Sequence, residues 1–224
     1  MRTHPVFLRL EGRRCVIVGG DAPAAAKAAA CRHAGAVVTL IASTLGAEAA
    51  ALAAADAVAH VARPYQTGDL AGAFVAYAST HDPALIERLV ADAEHEHVLL
   101  NVIDVPDACT FLSPAVVDRG DLQVAIGTGG ASPGLAAHLR RELESHVGPE
   151  YVPFVAILGA VRRALASDPA RAGARAEVVA SLLTSPLLDL VRRGRRDEID
   201  ALLARVAGDG CTLTRLGVAV GGGA

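Results

Sequence analysis

The sequence predicts an α/β fold with a doubly wound parallel sheet, followed by a β-hairpin region and a helical domain. Short apolar runs alternate with helical segments through the first half of the chain. The first run ends in Gly19 and Gly20, directly before an alanine-rich helical segment, as in Rossmann-like domains. Beyond about residue 112 the alternation stops. We therefore expect a dinucleotide-binding domain over 1–112, a hairpin and dimerisation region over 113–147 and a helical domain over 148–224.

The strands of the predicted sheet are apolar runs that end at turn residues. They are Cys15–Val18, Val37–Ile41, Val58–Ala62, Phe74–Ala78 and Val98–Ile103. The helical segments between them are Ala22–Ala34, Leu45–Ala55 and a segment that follows Asp82 and ends at Glu96. Because strands and helices alternate, the strands are expected to be parallel, with ligands bound at their carboxyl ends.

The second half shows a different pattern. Two further β runs, Thr110–Val117 and Leu122–Ile126, are joined by a turn at 118–121 and predict a hairpin. A glycine-rich loop follows and opens a helix at about Ser132, with serine as the N-cap and Pro133 after it. The remaining pattern, Pro153–Val206, is helical, with breaks at Asp168-Pro169, Ser185-Pro186 and Gly194.

Composition excludes several classes of protein. Of the 224 residues, 52% are hydrophobic and 3% aromatic, so the core is built from Ala, Val and Leu. A net charge of −3 argues against binding nucleic acid through the whole surface. The chain has neither a signal-peptide pattern nor a run of about 18 apolar residues, which predicts a cytoplasmic protein without a membrane segment. Lys27, the only lysine, is interpreted as compositional bias.

The four cysteines lie at positions without metal-binding spacing, and the sequence predicts free thiols rather than disulfides. They are Cys15, Cys31, Cys109 and Cys211. His95 and His97 alternate with Glu96 at a helix end and are interpreted as a solvated face. No metal ligands are assigned.

The glycine turn after the first strand is the candidate cofactor site. In the G-x-G-x-x-G/A pattern, Gly19 fills the first position and Ala24 the last, but Asp21 replaces the middle glycine. A phosphate charge about 5 Å from this carboxylate, at an effective dielectric constant of about 20, costs about 3 kcal/mol. Asp21 also suits the N-cap of the first helix, with Pro23 in its first turn, and both interpretations stay open.

Other cofactor contacts are expected from the same edge of the sheet. Gly20 and Ala22 complete the turn, and Thr80 follows the fourth strand, as does His81, which faces either a ligand or solvent. The second strand ends without an acid for a ribose hydroxyl. Ser43 and Thr44 follow this strand and are interpreted either as ribose contacts or as helix caps. The sequence does not distinguish NAD from NADP.

Three segments resemble a known family. They are His4-Pro5-Val6-Phe7 leading to Cys15–Gly20, then Asn101–Pro106 followed by Phe111, and Arg119 through Gly129–Pro133 to Arg140 and Leu143. Together they resemble the dehydrogenase/ferrochelatase module of sirohaem synthase, also known alone as precorrin-2 dehydrogenase. Most of residues 4–145 are covered.

The resemblance implies NAD-dependent oxidation of precorrin-2 to sirohydrochlorin, followed in some members by insertion of ferrous iron, in a homodimer. It implies that Asp104 is the essential aspartate, a role suited to a general base at a strand end. It also implies tetrapyrrole binding by a set of polar residues and backbone groups, with the arginines as carboxylate partners. This set is Asn101, Arg119, Thr128, Gly129, Gly130, Ser132 and Arg140.

The chain departs from the family pattern at three places. Asp21 replaces a glycine, His81-Asp82 replaces an acidic pair, and Thr128 replaces a serine that is phosphorylated in some members. Asp21 keeps two alternatives open beside the dehydrogenase. One is a metal chelatase that no longer uses NAD, and the other is a tetrapyrrole-binding protein without catalytic activity.

Overall fold

The computed structural model describes residues 2–168 and 171–221. The chain divides into two compact units. The first contains the residues up to Ser113 together with Gly127–Ser132, and the second contains Pro114–Ile126 and the chain from Pro133 onward. None of the helices in these described ranges is long and apolar enough to span a membrane.

The first unit is built on a five-stranded parallel sheet. Its strands are β1 (Arg14–Val18), β2 (Val37–Ile41), β3 (Ala59–Val61), β4 (Val75–Ala78) and β5 (Leu99–Val102). Its helices are α1 (Ala22–His33), α2 (Ala47–Ala54) and α3 (Pro83–Glu96), and a short 3-10 helix spans Pro106–Ala108. The predicted doubly wound parallel sheet is therefore confirmed.

Strand β1 is apolar throughout its centre because both faces of the sheet are covered. Cys15 and Ile17 pack on one face against Ala24 and Ala28 of α1. Val16 and Val18 face the opposite side, in the cluster that includes Leu89 of α3.

The strand order, β3-β2-β1-β4-β5, reverses direction between β1 and β4. Ile17 pairs with Leu40 of β2 on one side and with Tyr77 of β4 on the other. In open α/β sheets, a crevice for ligands lies outside the carboxyl ends of the strands at such a reversal. This places the candidate site at residues 19–21 and 79–80.

The second unit contains the predicted antiparallel hairpin and the helices. Strands β6 (Ala115–Arg119) and β7 (Leu122–Ile126) pair with Val117 opposite Val124. The helices are α4 (Pro133–His146), α5 (Tyr151–Ala166), α6 (Arg175–Leu183), α7 (Leu187–Arg192), α8 (Arg196–Ala207) and α9 (Leu213–Leu216), with a 3-10 turn at Ala172–Ala174. Their core includes the fully buried Ile157, Leu182 and Leu203.

The prediction of a strand over Thr110–Val117 was wrong at its beginning. Thr110 instead returns to β5: its N–H donates to the Leu100 carbonyl at 2.8 Å, and its Oγ1 accepts from the Leu100 N–H at 2.8 Å. The hairpin strand begins only at Ala115. The predicted helix breaks at Ser185-Pro186 and Gly194 are confirmed, whereas Pro169 lies outside the described residues.

Candidate functional site

Gly19 and Gly20 form a turn that only residues without a Cβ can make. Gly19 has φ +122°, and a Cβ there would lie 3.0 Å from the Ser79 carbonyl oxygen. A Cβ on Gly20 would lie 2.1 Å from the Thr44 carbonyl oxygen, and the Gly20 carbonyl accepts from the Gly46 N–H at 2.7 Å. The end of β1 is therefore packed closely against the segments that follow β2 and β4.

Asp21 is the N-cap of α1, which confirms that interpretation of the sequence. Its Oδ1 accepts from the Ala24 N–H at 3.0 Å, and its Oδ2 accepts from the Ser79 hydroxyl at 2.6 Å. Ala22 and Pro23 form the exposed first turn of the helix. The carboxylate thus uses one donor of the helix N-terminus and joins β1 to the end of β4.

The turn still fits the pyrophosphate of a dinucleotide. Among the residues described, the backbone N–H groups of Gly20, Asp21 and Ala22 have no hydrogen-bond partner. Such donors beside a helix N-terminus suit a phosphate group. The fixed Asp21 carboxylate beside them makes the site less favourable for an anion.

The other expected cofactor contacts follow β2 and β4. Ser43 and Thr44 are exposed, and Gly46, not either of them, is the N-cap of α2, so the helix-cap alternative for this pair was wrong. The Thr80 hydroxyl accepts from the Asp82 N–H at 3.2 Å, and His81 is exposed. These hydroxyls border the same end of the sheet as the glycine turn.

Asp104 lies two residues beyond β5 and is exposed. Its φ of +62° is a left-handed conformation that aspartate tolerates better than most residues. Cys109 holds this turn, because its Sγ accepts from the Val102 N–H at 3.2 Å and donates to the Val105 carbonyl at 3.3 Å. Ile103 continues the sheet by donating to the Ala78 carbonyl at 2.8 Å. Asp104 is thus held at the carboxyl edge of the sheet.

Asn101 was a candidate substrate contact, and its side chain is buried in the protein. Its Nδ2 donates to the Phe111 carbonyl at 2.9 Å. Phe111 packs edge-on against Tyr77, with ring centroids 5.4 Å apart. The amide therefore holds the segment after β5 against the sheet.

Sequence reasoning missed Lys27, which it interpreted as compositional bias. The Lys27 Nζ lies 5.3 Å from the centroid of the Tyr77 ring. Burial lowers the pKa of Lys27, an effect opposed by the nearby Cys31 and Asp104. Burial also raises the pKa of Tyr77 to about 12. Helical periodicity could have found Lys27, since it shares a face with the buried Ala24 and Cys31.

The glycine-rich loop after the hairpin forms a tight turn of its own. The Thr128 carbonyl accepts from the Ala131 N–H, and its Oγ1 accepts from the Ser132 N–H, both at 3.1 Å. Gly129 and Gly130 have φ of +61° and +83°, the left-handed region that favours glycine. The Thr128 hydroxyl therefore has a structural role within the loop.

The two arginines of the predicted site belong to the second unit. The Arg119 Nε donates to the Val147 carbonyl at 2.8 Å, and Arg140 pairs with Glu144 at 2.7 Å. Each already has a protein partner in this structure. A bound carboxylate would therefore share or replace these contacts.

The histidines at the end of α3 and the four cysteines lie as the sequence predicts. His95 and His97 are exposed at the end of α3. All four cysteines are free, with Cys109 half-buried and the other three buried. Within the described ranges, no three His, Cys, Asp or Glu side chains cluster as metal ligands do.

Two family models match the chain. Residues 6–115 match a family described as putative NAD(P)-binding, and residues 119–146 match one described as sirohaem biosynthesis protein central. The first match covers the parallel sheet and the glycine turn. The second covers most of the hairpin, the glycine-rich loop and α4.

Curated relatives are named siroheme synthases. That of Thioalkalivibrio sulfidiphilus is 34% identical over 197 residues, which are 88% of this chain and 40% of the relative. Siroheme synthase 2 of Halorhodospira halophila is 39% identical over 155 residues, which are 67% of this chain and 31% of the relative. The chain thus spans less than half the length of these relatives.

A solved structure titled SirC, precorrin-2 dehydrogenase, has the same fold. It superposes with a TM-score of 0.70 at 22% identity, covering 89% of this chain and all of that chain. With both family models and the curated relatives in agreement, the chain belongs to the sirohaem synthase family, and it corresponds to the part that carries the NAD(P)-binding fold.

Proposed function

We propose that this protein oxidises precorrin-2 to sirohydrochlorin with NAD, as a step of sirohaem synthesis. The observation that carries the proposal is the placement of Asp104. This exposed carboxylate lies at the carboxyl edge of the sheet whose central strand ends in the Gly19–Gly20 turn. The names of the relatives and of SirC supply the substrate and the reaction.

The reaction removes a hydride and a proton from the macrocycle. NAD, when bound, supplies the acceptor for the hydride. The free N–H groups of Gly20, Asp21 and Ala22 would hold its pyrophosphate, with Ser43, Thr44 and Thr80 at the border of the crevice. The Asp104 carboxylate would accept the proton. Because the macrocycle loses one hydride and one proton, its net charge does not change.

The tetrapyrrole is an anion with acetate and propionate groups. We propose that Arg119, Arg140 and the loop Thr128–Ser132 bind some of these carboxylates, through guanidinium pairs and backbone N–H groups. Asn101 would act by positioning the segment through Phe111.

A second candidate activity is insertion of ferrous iron into sirohydrochlorin without use of NAD. The Asp21 carboxylate favours this candidate, since it weakens the dinucleotide site and leaves Asp104 unaffected. Iron would be a substrate of this reaction.

We also propose that the protein is a homodimer built on the β6–β7 hairpin. This sheet has only two strands, so within the described part of the chain each strand has an edge without a neighbour. Val116 on β6 is 37% exposed. Unpaired strand edges with apolar side chains are commonly covered by another chain.

The deciding experiment measures sirohydrochlorin by absorbance after incubation with precorrin-2 and NAD. The wild type should form product only with NAD, and Asp104→Asn should form little. The matched control is Asp107→Asn, an exposed aspartate in the neighbouring 3-10 helix, which should react as the wild type does. Iron insertion into sirohydrochlorin without any NAD-dependent oxidation would favour the chelatase instead.

A further inference from the structure

Lys27 is half-buried on α1, and its Nζ lies 5.3 Å from the centroid of the Tyr77 ring. Among the described residues, no carboxylate lies within 4.0 Å of this Nζ and it makes no hydrogen bond. A partly desolvated ammonium whose described partner is an aromatic face, and not a carboxylate, lacks the full compensation that an ion pair would give. Such a group on the helix that follows the glycine turn is therefore a candidate for binding an anionic ligand.

The groups that face Lys27 come from four elements. The Tyr77 ring of β4 lies under the ammonium, and the Cys31 thiol follows one turn later on α1. Cys15 of β1 lies beside Cys31, and hydrogen bonding to Cys15 together with burial raises the pKa of the Cys31 thiol, which stays neutral. Asp104, beyond β5, is the facing carboxylate, and it acts on Lys27 only at longer range.

This arrangement suits an anionic ligand with an aromatic or conjugated body. The ammonium provides one positive charge, and the Tyr77 ring beside it, with Phe111 packed edge-on against that ring, provides apolar surface. Asp104 is negatively charged and repels a ligand carboxylate bound to Lys27. That carboxylate would therefore stay apart from Asp104, the group that accepts the proton.

We propose that Lys27 binds one peripheral carboxylate of the tetrapyrrole and so directs the macrocycle toward Asp104. The inference rests on the proposed function, since it assigns part of the same substrate. A charge-assisted ion pair in a half-buried site typically contributes about tenfold in affinity.

The test measures binding of sirohydrochlorin by fluorescence quenching with the chain of 224 residues. Lys27→Met keeps the length and apolar stem of the side chain but removes its charge, and should weaken binding about tenfold. Its thermal stability should be equal to or higher than that of the wild type. The matched control, Arg32→Met, removes an exposed positive charge from the same helix and should bind as the wild type does.

Measuring the affinity as a function of pH tests the charge of Lys27. A purely structural role of Lys27 would not make the affinity follow its protonation. Because the pKa of Lys27 lies below its ordinary value of 10.5, wild-type affinity should fall as pH rises toward that value. Lys27→Arg should keep its affinity over this range, since arginine stays charged. In steady-state assays Lys27→Met should raise KM, because the ion pair is lost, and lower kcat, because the macrocycle is less well directed toward Asp104.

The outcomes separate the two proposals. Wild-type protein that does not bind sirohydrochlorin would contradict the proposed function itself. Tight wild-type binding with equal affinity in Lys27→Met would contradict only the role of Lys27. A Lys27→Met variant that loses stability but binds normally would show that the ammonium stabilises the fold through Tyr77 and does not bind the substrate.

Discussion

The Asp21 carboxylate accepts a 2.6 Å hydrogen bond from the Ser79 hydroxyl, across the point where the strand order reverses. The same side chain caps α1 through the Ala24 N–H. One residue therefore stabilises the helix, joins two strand ends and places a negative charge beside the donors for a dinucleotide phosphate. These contributions can be separated by substitution.

Replacing Asp21 with glycine should tighten NAD binding by about tenfold to a hundredfold, because it removes an electrostatic cost of about 1.4–3 kcal/mol. Losing the cap to glycine should cost roughly a few tenths of a kcal/mol and losing the Ser79 bond about 1 kcal/mol, so the free energy of unfolding should fall by about 1 kcal/mol. Isothermal titration with NAD and chemical denaturation measure the two effects. Equal NAD affinity in the variant and the wild type would show that the carboxylate does not oppose the cofactor.

Two variants separate charge from capping. Asp21→Asn keeps a side chain that caps helices well but is neutral, so it should recover part of the NAD affinity at little cost in stability. Asp82→Gly removes the cap of α3, whose carboxylate accepts from the Ala84 N–H at 3.0 Å. It should lower the free energy of unfolding by roughly a few tenths of a kcal/mol and leave NAD affinity unchanged.

Asp104→Asn should lower turnover by about 10²–10⁴-fold, the usual effect of removing a general base. Asparagine also tolerates the left-handed backbone, and Asp104 makes no hydrogen bond to other described residues, so the melting temperature should stay the same. Alanine at this position should add a modest loss of stability. A near wild-type rate in Asp104→Asn would exclude it as the base.

Tyr65 should control stability at high pH. Its hydroxyl donates to the buried Asp92 carboxylate, and burial together with this bond raises the Tyr65 pKa above its ordinary value of 10.0. Because the folded-state pKa is raised, the contribution of Tyr65 to the free energy of unfolding is fully present below pH 10. It is lost as the pH rises above that value. Denaturation at pH 7 to 11 should show this decline.

Tyr65→Phe should lower the free energy of unfolding by about 2 kcal/mol at neutral pH, because among the described residues Asp92 then keeps only the Gly68 N–H as a donor. The decline above pH 10 should also become smaller. Tyr151→Phe, which removes a half-buried hydroxyl in the second unit, serves as the control. If Tyr65→Phe loses as much stability above pH 10 as the wild type does, the loss is caused by other titratable groups.

The homodimer is tested at Val116. Light scattering at micromolar concentration should give twice the mass of one chain, and Val116→Glu should shift the protein toward the monomer. Leu183→Glu changes a residue that is 56% exposed on α6 and should leave the mass unchanged. A monomeric wild type would contradict the proposed assembly.

The parallel sheet was predictable because its strands are short apolar runs separated by helices. Val37–Ile41 was predicted without error, and the other four strands were within one residue of their observed ends. Local sequence was enough there, since the central strands β1 and β4 are almost entirely buried and read as apolar runs. The Asp21 cap was also predictable from local sequence, because a helix cap depends on the next three residues.

Contacts between distant segments could not be read from the sequence. The Ser79 bond to Asp21 joins residues 58 positions apart. Helical periodicity could place Lys27 on the inner face of α1, but not against the Tyr77 ring of β4. Thr110 was expected in the hairpin, but its pairing with Leu100 depends on the free edge of β5. In each case the partner, not the residue itself, determines the role.

The thiol of Cys109 has a consequence for chemical labelling. It bonds to the backbone on both sides of Asp104, and burial raises its pKa, so reaction with iodoacetamide should be slow at neutral pH and faster in alkali. Once alkylated, the sulfur could no longer donate to Val105, and the turn that carries Asp104 would lose this support. Such inactivation would resemble that of a cysteine-dependent enzyme although the sulfur takes no part in the chemistry.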